Sequence, residues 1–432
     1  MLSSRRYIGF IVSVMSLPTL AINSGDTAWL LAASSLVMIM TPAVGLFYGG
    51  MVRRKNLLST IMLSFSALVV ITLQWLLFGY SMAFGPDIAH VIGSLEWFAI
   101  HHVGFAPNPD YAKNIPHLLY MLFQMKFAII TPALISGAFV ERIRYSTFLI
   151  FILLWSTIVY VPMAHWIWGM GGWLRNLGAL DFAGGTVVHI TAGISALAIA
   201  MVIRPRIGFG TDNEPSDTPG SVTLTLLGGV LLWFGWFGFN GGSALAADGL
   251  SVLAIINTNA ATAAAALVWM LLSSLKGGRP TIVGITTGVV VGLVAITPAC
   301  GYVDILSSIL IGAVASVISF YCMKIRVKHL KIDETLDVWA CHGMAGTWGA
   351  IATGIFANVG VNPNGANGLL YGNSALFNAQ CLSVLVAWVY SFAATYVIAW
   401  TLNQFRSLSV SEHHEELGLD RSQHGEEAYA MF

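Results

Sequence analysis

Two histidines stand in surroundings where an ionisable group is expensive. His189 lies in DFAGGTVVHITAG (181–193) and His342 in CHGMAG (341–346), both inside strongly apolar runs. Imidazole titrates near neutrality, and in the neutral ring one nitrogen donates while the other accepts. Either histidine alone is most simply a satisfied packing residue. Two neutral rings brought together can share one hydrogen bond and keep one donor and one acceptor for a small polar guest. A zinc site would need three or four protein ligands. Asp181 precedes His189 by eight residues, about 12 Å of helix, and Asp337 precedes His342 by five, roughly 7–8 Å. Neither acid completes a metal shell with its own histidine, so no metal is expected.

Asp181 reads as a helix N-cap, accepting from exposed backbone N–H groups and favoured by the helix dipole. A fixed negative charge there also favours a nearby cation. Asp337 reads as structural. Among the aromatics, Phe123 and Phe127 are spaced i,i+4, an ordinary packing pair. Trp168 ends an apolar run where an interfacial belt residue is usual. In GWFGFNGGSA (235–244), Trp236 and Phe239 alternate with glycines that admit close backbone approach, and Ser243 follows. Rings facing a cavity hold a small cation by roughly 0.5–2 kcal/mol each.

The elements that carry these residues are membrane helices. The 432-residue chain is 56% hydrophobic and only 9% charged, which excludes a soluble domain with a charged surface. Its formal net charge of zero leaves no nucleic-acid footprint. The four cysteines are scattered, without a CxxC pair. Residues 1–21 carry Arg5 and Arg6, a short apolar stretch and Thr19-Leu20-Ala21, the pattern of a signal peptide. Beyond them, apolar stretches at about 26–52, 57–84, 117–138, 145–170, 182–203, 219–241, 251–273, 281–298, 303–323, 339–358 and 375–402 predict eleven transmembrane helices.

With the N-terminus outside, the cytoplasmic segments hold fifteen Lys and Arg residues, and the outer loops hold only Lys113 and Arg175. The C-terminus is then inside. FYGG (47–50) resembles FNGG (239–242), ITPA recurs at 130–133 and 296–299, and HITAG (189–193) resembles HGMAG (342–346). Each pair lies five spans apart. That predicts an all-α polytopic protein of two inverted five-helix repeats, 26–203 and 219–358, with a final helix at 375–402 and a tail at 403–432. The working site is expected between the halves.

GLFYGGMVRRKN, GAFVERIRYS, LDFAGGTVVHITAG, WFGFNGGSA, TPACGY and CHGMAGTWG together resemble the ammonium transporter family (Amt/MEP/Rh), in its bacterial Amt branch. The resemblance spans the chain after the leader. It implies a homotrimer in the bacterial inner membrane, each subunit with its own narrow hydrophobic pore and no cofactor. It implies that ammonium or methylammonium is recruited at Trp168, Phe123, Phe127 and Ser243, near Asp181. Phe127 and Phe239 become a gate, and His189 and His342 a histidine pair below it, with Trp236 lining the path. Ammonium would be deprotonated and cross as ammonia, with net charge movement.

The tail LGLDRSQHGEEAYAMF (417–432) implies docking of a PII signalling protein; its plainer reading is a disordered acidic tail. The alternatives are an electroneutral Rh-like channel for ammonia or carbon dioxide, and an ammonium sensor acting through a separate partner. An intramembrane enzyme lacks a nucleophile near the histidines. Lys126, beside Phe127, departs from the family pattern and is expected to face away from the pore.

Overall fold

The computed structural model describes residues 21–211 and 218–429. The signal-peptide expectation for 1–21 therefore lies, but for Ala21, outside the described residues. Helix occupies every stretch in which a membrane crossing was expected. In order these are α1 (Ser24–Met51), α2 (Arg54–Phe84), α3 (His117–Ala138), α4 (145–168), α5 (Gly185–Ala200), α6 (Val222–Gly241), α7 (Gly249–Leu275), α8 (Ile282–Ile296), α9 (Ile305–Leu330), α10 (339–356) and α11 (Ser374–Phe405). Among the described residues eight helices are long and apolar enough to cross a membrane, and α5 and α8 are shorter apolar helices. The chain is an all-helical, multi-pass membrane protein.

Local chemistry sets the helix starts. Asn23 caps α1 by accepting from Asp26 N, and Asp304 caps α9 by accepting from Ser307 N. Asp248 accepts from two N–H groups at the start of α7. Each cap satisfies donors that a helix start leaves orphaned. Several helices widen for a single π turn, including 185–190, 237–241 and 339–344. His189, Phe239 and His342 lie on these three turns. Such turns displace side chains from regular helical phase and gather at functional positions.

Packing brings the two halves together. α1 runs along α6, α7 lies between α8 and α9, and α5 packs on both α10 and α11. Where α5 meets α10, Gly193 is pressed against the main chain of Gly343, and a Cβ on Gly193 would strike that backbone. This close approach sits one turn beyond His189 and directly beside His342. The long connection between α2 and α3 folds into two short antiparallel hairpins, β1 (Asp87–Ile88) with β2 (Ile92–Gly93), and β3 (Pro107–Asn108) with β4 (Ala112–Pro116).

The opposite face carries the C-terminal tail and a buried ionic knot. Glu141 accepts from Arg53 N and Nε, Asn56 Nδ2 and Arg206 Nη1. Asp333 accepts from Arg206, and Arg142 donates to Thr335 and to the Asp333 carbonyl. Burial pushes the Glu141 and Asp333 carboxyls up. The guanidiniums beside them outweigh it, and both lie below their ordinary values.

The tail is not loose through residue 429. Glu415 accepts from Arg204 Nη2 at 2.6 Å and Ile207 N at 2.7 Å. Asp420 caps the start of α2 through Leu58 N and Ser59 N, and Gln423 bridges Tyr145 N and Ile143 O at the start of α4. The reading of a disordered acidic tail fails here, because Asp420 is spent on the start of α2 and Gln423 on the start of α4.

Candidate functional site

Asp181 fixes the start of α5. One carboxylate oxygen accepts from Gly184 N (2.8 Å) and Gly185 N (2.7 Å), and the other from Thr186 N (2.8 Å) and Val187 N (3.0 Å). All four N–H groups point at one buried charge, and His189 follows one turn later. Near the other histidine the acid that caps a helix start is Glu334. It precedes His342 by the same eight residues and accepts from Val338 N (2.5 Å) and Trp339 N (3.1 Å). Burial pushes the Glu334 carboxyl up to about 7. Asp337 is held in an ion pair by Arg326 Nε at 2.7 Å, in keeping with its structural reading.

The two histidines meet. His189 Nδ1 and His342 Nδ1 are 3.3 Å apart, with ring planes inclined by 26°. Both rings are buried. Among the described residues His189 Nε2 has no hydrogen-bond partner. The indole of Trp236 stacks on His189 at 5.3 Å between centroids, and its Nε1 donates to Thr297 Oγ1 at 2.9 Å.

A column of rings continues from the pair toward the hairpin face. Phe239 lies 5.9 Å from His189, and Phe127 lies 4.3 Å from Phe239. Phe123 and Trp168 flank Phe127 at 4.9 and 5.9 Å. Phe127 and Phe239 are essentially fully buried, and Phe127 also lines one of two cavities. The hairpin-side cavity, about 370 Å³, is lined by Phe123, Phe127, Trp168, Asp181 and Ser243. The tail-side cavity, about 200 Å³, reaches His342 and is walled by Arg53, Glu141, Arg206 and Asp337.

Trp168 is held from within by its own Nε1, which donates to the Asp181 carbonyl at 2.9 Å. Ser243 Oγ donates to the Phe239 carbonyl at 2.8 Å, which leaves its lone pairs to the cavity. The structure thus brings His189, His342, Trp236, Phe239, Phe127, Phe123, Trp168, Asp181 and Ser243 together. Lys126 is buried and lines neither cavity.

The family model for the Ammonium Transporter Family matches residues 28–429. The chain belongs to this family. Among ammonium transporters it is 47% identical to that of Bacillus subtilis over 94% of this chain and 98% of the relative. It is 48% identical to ammonium transporter Amt1 of Archaeoglobus fulgidus over 94% of this chain and all of the relative. The crystal structure of Candida albicans Mep2 superposes with a TM-score of 0.85 at 36% identity, covering 91% of this chain and 87% of that one. A structure described as a sensor Amt protein gives 0.84 at 28% identity, covering 93% and 98%. This is a family of transporters and not of enzymes.

Sequence reasoning missed four polar neighbours of the site in this ammonium transporter family fold. Tyr120 and Gln124 join the hairpin-side cavity wall, Thr297 anchors Trp236, and Glu334 accepts from the amides that start α10. Thr297 lies in the repeated ITPA string, and Gln124 falls between Phe123 and Phe127 on one helix face. Both signals were present in the sequence.

Proposed function

We propose that the protein transports ammonium. The cation is recruited in the hairpin-side cavity against Trp168, Phe123 and Phe127, with Ser243 Oγ as an acceptor and the Asp181 carboxylate fixing the geometry behind it. A charge at the centre of a membrane costs about 2.5–3.5 kcal/mol even on mild scales. The closed Phe127–Phe239 pair makes the path beyond it dry. Ammonium passes by leaving its proton and crossing as ammonia, whereas potassium has no proton to leave. Beneath the gate the His189–His342 pair receives the neutral molecule, with Trp236 as a wall, and the tail-side cavity releases it. The proton follows a separate route that includes the histidines, so transport moves net charge.

The observation that carries this reading is the Nδ1–Nδ1 contact of two buried histidines directly beneath a closed pair of phenylalanines. We further infer eleven crossings, with the N-terminus outside and the tail in the cytoplasm. The halves 26–203 and 219–358 are inverted repeats, followed by the helix at 375–402 and a regulatory tail at 403–432. The equal spacing of Asp181 and Glu334 from their histidines, each histidine on a π turn, supports the repeat. Three copies assemble in the bacterial inner membrane after the leader 1–21 is removed, and the ordered tail supports a cytoplasmic docking face for a PII signalling protein.

The test is the current evoked by an ammonium pulse in proteoliposomes holding the wild type or His189→Ala with His342→Ala. A sustained ammonium-specific current, lost or made unselective against potassium in the variant, supports the reading. Internal pH change without current makes the protein an electroneutral, Rh-like channel. Tight ammonium binding with neither signal favours a sensor, the second reading, which the likeness to the sensor Amt structure supports.

A further inference from the structure

On the hairpin face one fully buried histidine takes no part in the site. His165 lies on α4 one turn before Trp168. Its Nδ1 is 2.9 Å from the Ala83 carbonyl, and its Nε2 is 2.9 Å from Asp87 Oδ1. Burial pushes the Asp87 carboxyl up. Hydrogen bonds from the His165 ring and His90 N outweigh it and leave the carboxyl below its ordinary value, hence ionised. A carbonyl and a carboxylate only accept, so His165 donates from both ring nitrogens. A ring that donates twice is an imidazolium.

The turn after Trp168 is built on this pair. A Cβ on Gly169 would sit 2.6 Å from His165 Nδ1, and one on Gly172 would strike the His165 carbonyl. Gly171, at φ +91°, would place a Cβ 2.6 Å from Asp87. The hairpin is tied to the same turn: Asp87 accepts from His90 N, the His90 ring donates to the Gly171 carbonyl at 2.7 Å, and Trp166 Nε1 donates to the Val91 carbonyl at 2.8 Å. The other charged or titratable groups facing this region are Arg175, whose Nη1 donates to the Trp168 carbonyl, and Tyr111, whose hydroxyl accepts from Met170 N.

We propose that His165 and Asp87 form a charged clasp that positions Trp168, fastening the β1–β2 hairpin to the end of α4 and so fixing the outer aromatic wall of the vestibule. Both are positioning residues, and the role in recruitment rests on the transport reading above.

The test joins two readouts on the full-length protein, wild type and the near-isosteric Asp87→Asn, with His165→Gln as the second variant. Hydrogen–deuterium exchange follows the amides of 88–93 and 169–173, and proteoliposome uptake of methylammonium follows KM and maximal rate separately. Expected are roughly tenfold faster exchange in both segments and a KM raised roughly three- to tenfold with little change in maximal rate. Unchanged exchange in Asp87→Asn overturns the clasp. Faster exchange with unchanged KM overturns the positioning of Trp168. Absence of uptake by the wild type strikes the transport reading, while the exchange arm still decides the clasp.

Discussion

His189 and His342 face each other Nδ1 to Nδ1 at 3.3 Å. One hydrogen must lie between two nitrogens of the same kind, so the rings are necessarily in opposite tautomers when neutral. The ring that donates from Nδ1 keeps a bare Nε2, and its partner carries hydrogen on Nε2. The dyad therefore offers a neutral guest one acceptor and one donor, and exchanging which end is which takes two proton shifts, the shared hydrogen across the Nδ1 contact and a second one from Nε2 to Nε2.

Breaking this contact on one side leaves a buried nitrogen unpaired, at about 1–3 kcal/mol. His342→Ala should lower the ammonium current roughly tenfold or more and admit potassium through the enlarged path. Ammonium and potassium currents recorded on the same proteoliposomes check both parts. A potassium-tight variant with normal current would refute the assigned role.

Trp168 contributes one wall of the hairpin-side cavity. Trp168→Leu keeps the apolar bulk and removes the ring face, so the apparent affinity for methylammonium should fall by the roughly 0.5–2 kcal/mol of one cation–π contact. Competition of uptake by potassium, measured alongside, should strengthen.

Asp181 accepts two N–H groups on each oxygen, and an amide cannot imitate that. Asp181→Asn replaces one acceptor with a donor facing Thr186 N and Val187 N. Loss of two hydrogen bonds to a charged group is worth roughly 1.5–3 kcal/mol each. A lower melting temperature and loss of uptake are expected together, and a stable, inactive variant would separate the charge from its capping duty.

The knot on the tail face sets an acid limit. Glu141 and Asp333 have folded values below their ordinary 4.5 and 3.8. Their stabilisation is complete above those ordinary values and is lost as pH falls through the lower folded ones. Glu334 runs the other way. Raised from 4.5 to about 7, it makes the fold less stable as pH climbs across that interval. Melting curves against pH should show Glu141→Gln weakened at neutral pH and Glu334→Gln spared the loss between pH 4.5 and about 7.

Lys126 lines neither cavity although it adjoins Phe127 in sequence. Lys126→Met should leave the KM and rate of methylammonium uptake nearly unchanged. A large gain in affinity would mean that its charge reaches the vestibule.

The histidines, the aromatic ladder and the helical stretches were legible because each is a local departure from an apolar background. A polar residue in a long apolar run announces itself, and the recurring strings HITAG and HGMAG double the signal. Glu334 was not legible: Asp337 stands nearer to His342, and only the fold shows which acid reaches the orphaned amides of α10. The π turns under His189 and His342 have no sequence period of their own and arise where packing shifts a turn. The Glu141 knot joins Arg53, Asn56 and Arg206 across the sequence, and no window of hydropathy registers such a meeting.

Gly193 lies against the backbone of Gly343 with no side chain between them. The distance between the two histidines is thus gauged by two main chains in direct contact, without the slack of interleaved side chains. A single methyl at position 193 becomes a spacer, prying α5 from α10 just below the dyad. Graded substitution there offers a mechanical dial on the histidine gap that leaves both imidazoles chemically untouched.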